Sequence, residues 1–108
     1  MAKFKIEWSV EARLDLLDIL GFYIERNKSA AYSNKLNTKI VRSIKLIGQN
    51  PFICIKTEID SARALITGDY QIIYEIHEQL IVVVMIWDCR RDPEDKIVDL
   101  RVKIKKGN

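Results

Sequence analysis

One run of residues limits the fold more than any other. Residues 80–87, LIVVVMIW, carry no polar side chain. The run is far short of the ~20 apolar residues a bilayer-spanning helix needs. It is rich in β-branched Val and Ile, so it reads as a strand, about 26 Å long. A strand apolar on both sides belongs inside a sheet with both faces covered. The sequence then changes abruptly to DCRRDP, and Pro93 forbids continuation. The strand therefore delivers Arg90 and Arg91 to its far end. If its geometry persists, the two point to opposite sides. Local ion pairs with Asp88 or Asp92 are one reading of the arginines, and recognition of a partner is the other. Exposed pairs contribute less than about 1 kcal/mol, so stability is a weak reason for placing two there.

Upstream, residues 3–8 (KFKIEW) alternate, with Phe4, Ile6 and Trp8 on one face of a short strand. Ser9 offers an N-cap, and Glu11 falls in the first turn, where the helix dipole favours a carboxylate. A helix is expected over residues 10–25. Its core stripe would be Leu14, Leu17, Gly21 and Ile24, with Leu16, Leu20 and Tyr23 beside them. A second helix should start near Ser29, because Leu36, Ile40, Ile44 and Ile47 share one helical face. Gly48 suits its C-cap, and Asn50-Pro51 stops it. A loop over residues 52–60 then leads to three strands, ARALIT, GDYQIIYEI and LIVVVMIW. Their short links imply antiparallel hairpins. Tyr70, Ile72, Tyr74 and Ile76 share a face, which assigns both tyrosines to packing. The order β-α-α-β-β-β describes an α+β fold, an antiparallel sheet packed against a two-helix hairpin, in one domain over residues 1–108. Residues 95–108 form a C-terminal extension. There DLRVKIKK alternates as a strand does, yet Ile97, Leu100, Arg101 and Ile104 also keep helical spacing.

Net charge is only +3, but it is segregated along the chain. Residues 27–57 hold six basic side chains and no acidic one, and residues 58–88 hold six acidic and one basic. Such asymmetry favours an acidic or polyanionic partner. Lys28, Lys35, Lys39 and Arg42 fall within roughly 60° of one another, well off the apolar face of the second helix. They form either a solvated back or a docking stripe. Cys54 and Cys89 lie far apart without metal-ligand spacing, so neither a metal nor a cofactor is expected. The N-terminus has no apolar signal region, and a cytosolic protein without a membrane partner is the default expectation.

The pieces A-R-L-D-L-L-D-I-L-G-F-Y-I, G-Q-N-P, R-A-L-I-T-G-D-Y-Q-I-I-Y-E-I and I-V-V-V-M-I-W-D-C-R-R-D-P, in this order, resemble the RelE/ParE superfamily of bacterial type II toxins. They cover residues 8–93. The resemblance implies a small toxin held in check by a cognate antitoxin presenting an acidic or amphipathic segment, with the homo-oligomeric state left open. RelE-like members cleave mRNA in the ribosome without a metal, whereas ParE-like members bind DNA gyrase and are not nucleases. The long helix pair followed at once by Asn50-Pro51 is closer to the ParE-like branch. Arg91 matches an arginine of the RelE-like site. Ile97 and Ile66, however, stand where that site would place a tyrosine and another arginine.

Cleavage of RNA by its 2′-hydroxyl needs a base, cations at the phosphorane and an acid. Arg91, Arg90 and Arg63 are the candidate catalytic cations should the chain be a nuclease, with Lys56 as a possible addition. His77 is expected in a hairpin turn at the opposite end of the strand from Arg90. As partner-binding residues the sequence offers Arg90, Arg91, Trp87, Lys35, Lys39 and Arg42. Trp87 alternates with Met85 and Val83 and also reads as core, and Cys89 reads as a half-buried filler. A bland nucleic-acid-binding domain is the remaining class. Double-stranded RNA-binding domains run α-β-β-β-α, however, and here two helices precede the three strands.

Overall fold

The computed structural model describes residues 4–57, 61–91 and Lys96. The described elements are β1 (Lys5–Trp8), α1 (Val10–Asn27), α2 (Ala31–Gln49), a 3-10 turn (Pro51–Ile53), β2 (Ile55–Lys56), β3 (Ala62–Thr67), β4 (Tyr70–His77) and β5 (Leu80–Asp88). The α+β class and the order of the main elements are as the sequence predicts. The C-terminal extension lies outside the described residues, apart from Lys96, whose Nζ donates to Gln71 Oε1 at 2.5 Å.

The sheet runs β1-β5-β4-β3-β2. The three expected strands form antiparallel neighbours. At its edges the sheet departs from expectation. β1 joins β5 in parallel, Lys5 against Leu80 through Trp8 against Val83, so the sheet is mixed rather than wholly antiparallel. The physical reason is that residues 9–79 separate the two strands, far more than the roughly dozen residues a parallel connection needs. The expected loop over residues 52–60 also contains β2, whose Ile55 and Lys56 face Ala64 and Arg63.

Ser9 caps α1 as predicted, its hydroxyl accepting the Ala12 N–H at 3.0 Å, while its own N–H extends the ladder to Val83 O. α1 ends at Lys28, which adopts φ 52°, so Lys28 is a cap of α1 and not part of a stripe on α2. Gly48 is not the C-cap of α2, which continues to Gln49 with Asn50 as the cap. Its missing side chain serves a close approach instead: a Cβ there would stand 2.9 Å from Ile6 Cδ1.

One cluster, Ala12, Tyr23, Leu36, Ile40, Ile44, Ile47, Tyr70, Ile72, Tyr74, Ile81, Val83 and Ile86, fills the space between the helices and the sheet. A second cluster occupies the opposite face of the sheet with Ala62, Ala64, Ile73, Val84, Met85 and Trp87. β5 is buried on both sides, as its composition demands.

Strict alternation nevertheless fails within β5. Ile73 pairs with Met85 and Tyr74 with Val83, which leaves Val84 as an extra residue, a β-bulge. Val83 therefore joins the helix-side cluster while Val84, Met85 and Trp87 share the other face. The sequence-based grouping of Trp87 with Val83 is corrected on that ground. α1 also turns a different face inward than its pattern suggests. Ala12 and Tyr23 are buried and Leu16, Ile19 and Leu20 pack beside them, whereas Leu14, Leu17 and Ile24 are exposed. An unbranched count of leucines could not separate the two faces, because α1 is apolar on both.

Candidate functional site

The bulge decides which arginine meets which surface. Without the extra residue, the alternation that sends Ile81 and Val83 toward the helices would carry Arg91 there too. With it, Ile86 faces the helices and Arg90 follows. Arg90 takes the local ion pair with Asp88, one of the two readings of the sequence, rather than projecting from the strand end. Its Nε donates to Asp88 Oδ1 at 2.9 Å, and its Nη2 donates to Asp88 Oδ2 at 2.9 Å and to the Tyr23 hydroxyl at 2.7 Å. The same nitrogen reaches Tyr70 Oη at 3.2 Å, and Asp69 lies 3.7 Å from Nη1. The Tyr70 hydroxyl donates to that of Tyr23 at 3.3 Å.

This cluster joins α1, β4 and the end of β5. Hydrogen bonds from Tyr70 and Arg90 pull the Tyr23 phenol below its ordinary range. Burial, then the contact with Tyr23, pushes Tyr70 up. The Arg90 hydrogen bond holds the Asp88 carboxyl low, and Asp88 in turn holds the guanidinium firmly charged.

A cleft of about 380 Å³ opens beside the cluster, between α1 and β5, with Asp15, Asp18, Phe22 and Arg26 on its helix wall. β1 stops at Trp8, so the outer edge of β5 runs past it. Asp15 covers that edge, its Oδ2 accepting the Ile86 N–H at 3.0 Å. Nothing in the spacing of residues marks Asp15 or Tyr23 as partners of the strand end. Both lie on α1, and only the helix packing brings them there.

Arg91 also borders that cleft, but its guanidinium turns to the other face. It is exposed, and its Cζ lies 4.7 Å from the centre of the Trp87 ring. Trp87 itself is buried, its ring in the second core cluster beneath that guanidinium. Arg63 stands elsewhere, on β3 opposite Tyr74. Its Nη1 donates to Phe52 O at 2.8 Å and Cys54 O at 3.0 Å, pinning the turn after α2. The Tyr74 hydroxyl donates to Pro51 O at 2.6 Å in the same turn. His77 ends β4, 3.4 Å from Glu75 Oε2. The three candidate catalytic arginines are thus not brought to one point, and His77 pairs across the hairpin with Leu80, at the far end of β5 from Arg90. Cys89 is exposed rather than half-buried. Among the described residues no group of His, Cys, Asp and Glu could hold a metal, and no helix is long and apolar enough to cross a membrane.

The helices carry two further surfaces. On α1, Val10, Leu14, Leu17, Gly21 and Ile24 recur at spacings of four, three, four and three along the outer side. The four side chains are 69, 53, 63 and 42% exposed, and a Cβ on Gly21 would meet nothing within 4 Å. The spacing is that of an apolar stripe, or seam, two heptads long. Glu11, Asp18 and Glu25 form one rim, seven residues apart. On α2, Lys35, Lys39 and Arg42 stand together along a shallow groove completed by Asn34, Thr38 and Thr67. Lys39 Nζ reaches the β3–β4 turn, 3.0 Å from where a Gly68 Cβ would stand. None of these three cations has a hydrogen-bond or ion-pair partner among the described residues.

Residues 6–93 match the family model of the ParE toxin of the type II toxin–antitoxin system parDE. The chain belongs to that family, within the RelE/ParE superfamily. Among solved structures it is similar to a chain of the chromosomal ParDE system of P. aeruginosa. That match has TM-score 0.68 and 18% identity, covering 78% of this chain and 94% of the other. A chain of the RelBE2 toxin–antitoxin complex of Mycobacterium tuberculosis aligns with TM-score 0.49 and 13% identity, covering 79% of this chain and 96% of the other. No protein of curated function matches the sequence.

Proposed function

We propose that this toxin acts by binding DNA gyrase rather than by cutting RNA, and that its cognate antitoxin silences it by laying an amphipathic helix along the α1 seam. The observation that carries the binding reading is the commitment of Arg90 and Arg63 to separate groups of their own chain. Metal-free cleavage needs cations gathered on one phosphate beside a base. Here Arg90 ties β5 to α1, and Arg63 ties β3 to the turn after α2. Gyrase as the target follows from the likeness to the ParE-like branch, and the exposed Arg91 over Trp87 is the strand-end group open to it.

For the antitoxin, the seam from Val10 to Ile24 is about 21 Å long at 1.5 Å per residue, enough for four turns of a partner helix. Its acidic rim, Glu11, Asp18 and Glu25, fits basic flanks on that helix. The test pairs two assays on the purified chain. In the first, gyrase supercoils relaxed plasmid. In the second, a translation extract is probed for new transcript 5′ ends. Blocked supercoiling with intact transcripts is the expected result. Fresh cuts within codons, with supercoiling untouched, would reverse the reading in favour of ribosome-dependent cleavage.

A further inference from the structure

The outward face of α2 is used neither by the strand-end cluster nor by the α1 seam. We propose that it binds the sugar–phosphate backbone of a nucleic-acid duplex without regard to sequence. Lys35, Lys39 and Arg42 lie one turn apart on one side of the helix. They span roughly 10 Å along its axis, a length over which one duplex strand presents about four phosphates at ~3.4 Å of rise each, enough for each cation to meet its own. All three are free of ion pairs among the described residues, and residues 27–57 supply no carboxylate to compete with or repel a polyanion.

The composition of the groove separates a nucleic acid from an acidic protein. Its polar lining is Asn34, Thr38, Ser43 and Thr67, and Leu46 is its one apolar side chain. Protein partners bind through desolvated apolar or aromatic anchors, and the α1 seam has such a character. The groove's exposed area is largely the aliphatic stems of its cations together with Leu46, but its only charges are positive, and a surface whose charge is all cationic is that of a protein–DNA interface. No aromatic side chain lines the groove to stack unpaired bases, which favours a duplex over a single strand. Tyr32, an exposed ring in the first turn of α2, is set edge-on against Tyr23, ring centres 4.7 Å apart. The proposal rests on the free cations of α2 and not on the identity of the toxin's target.

The experiment measures anisotropy of a labelled 20-base-pair duplex of mixed sequence with the full chain across a salt series. Three neutralised phosphates contribute about −2.7 to the slope of log K against log salt, or roughly a 40-fold loss between 50 and 200 mM. K35Q/K39Q/R42Q should lose that share of the slope, while R90M keeps it. Equal affinity and slope for the α2 variant and the parent would overturn the proposal. So would binding abolished by K103Q/K105Q/K106Q with the α2 variant unaffected. Polyglutamate displacing the duplex at equal charge would assign the face to acidic protein and overturn it as well.

Discussion

α1 and α2 are neighbours of nearly equal length, and both lean on the same face of one sheet, yet they divide their labour in opposite ways. α2 buries six residues, Ser33, Leu36, Ile40, Ser43, Ile44 and Ile47, and α1 buries only Ala12 and Tyr23. Outside, α1 shows aliphatic side chains rimmed by acids, and α2 shows unpaired cations. The lesson is that α2 anchors and α1 presents: the helix with less to gain from the core keeps more apolar surface for a partner. The sharpest way to break this comparison is to truncate one residue of each kind. Ile40→Ala, at a site with no exposed surface, should cost about 3 kcal/mol. Leu17→Ala should stay within about 0.5 kcal/mol, since the side chain is mostly exposed. Urea denaturation of the two variants measures both. A core-sized loss for Leu17→Ala would mean that the seam is already covered.

If few apolar groups hold α1, polar ones must matter more. Asp15 is such a group, because it caps an N–H on the β5 edge that β1 does not reach. Asp15→Ala orphans that donor and should cost about 2 kcal/mol. Hydrogen exchange gives a residue-level check: the Ile86 amide should lose protection while the Ile72 amide, on β4, keeps it.

The same contrast explains which parts of the fold were legible from sequence. The α2 core face was readable because its outer side is mainly polar, with Tyr32, Val41 and Leu46 too scattered to make a second stripe, so the helical period stands out. α1 is apolar on two sides, and a period cannot say which side meets the sheet. The three hairpin strands were readable from alternation and short links, but the parallel addition of β1 was not, since a four-residue strand carries no record of its neighbour. Of the two readings open for the strand-end arginines, the local ion pair with Asp88 is the one Arg90 takes, and the sequence could not say which of the two arginines would take it. Alternation along β5 looked continuous through Val83, Val84 and Met85, three residues alike in apolarity, so nothing flagged the bulge that turns Arg90 inward. Asp15 and Tyr23 are polar groups whose partners lie 71 and 67 positions away, beyond any local pattern.

Arg90 offers a test of intermediate size, because it fastens the presented helix to the sheet through Tyr23. Its side chain is half exposed, so solvent screens the pair and Arg90→Met should cost about 1 kcal/mol. The pH dependence identifies the cause. Asp88 is held below its ordinary carboxylate range by Arg90, so its contribution is present above the unfolded pKa and is lost as pH falls below about 4. The parent should therefore lose stability between pH 5 and 3 more steeply than Arg90→Met. Parallel acid profiles would mean that the cluster does not couple the helix to the strand.

The smallest effect is expected on the other helix, where its sign is the informative part. Lys35, Lys39 and Arg42 are four and three residues apart, the spacing at which like charges on a helix repel by a few tenths of a kcal/mol per pair. They touch no carboxylate among the described residues, so removing their charge breaks no favourable contact. K35Q/K39Q/R42Q should accordingly be as stable as the parent or more stable by about 0.5 kcal/mol at low salt. Salt screens the repulsion over a Debye length of ~10 Å at 0.1 M, so the gap should close as sodium chloride rises from 20 to 500 mM. Melting curves at the two salt concentrations read this directly. A variant less stable than the parent at low salt would show that the three cations are tied to the fold, as Arg90 is, and the division between an anchoring helix with a free cationic back and a presenting helix with an apolar one would fail.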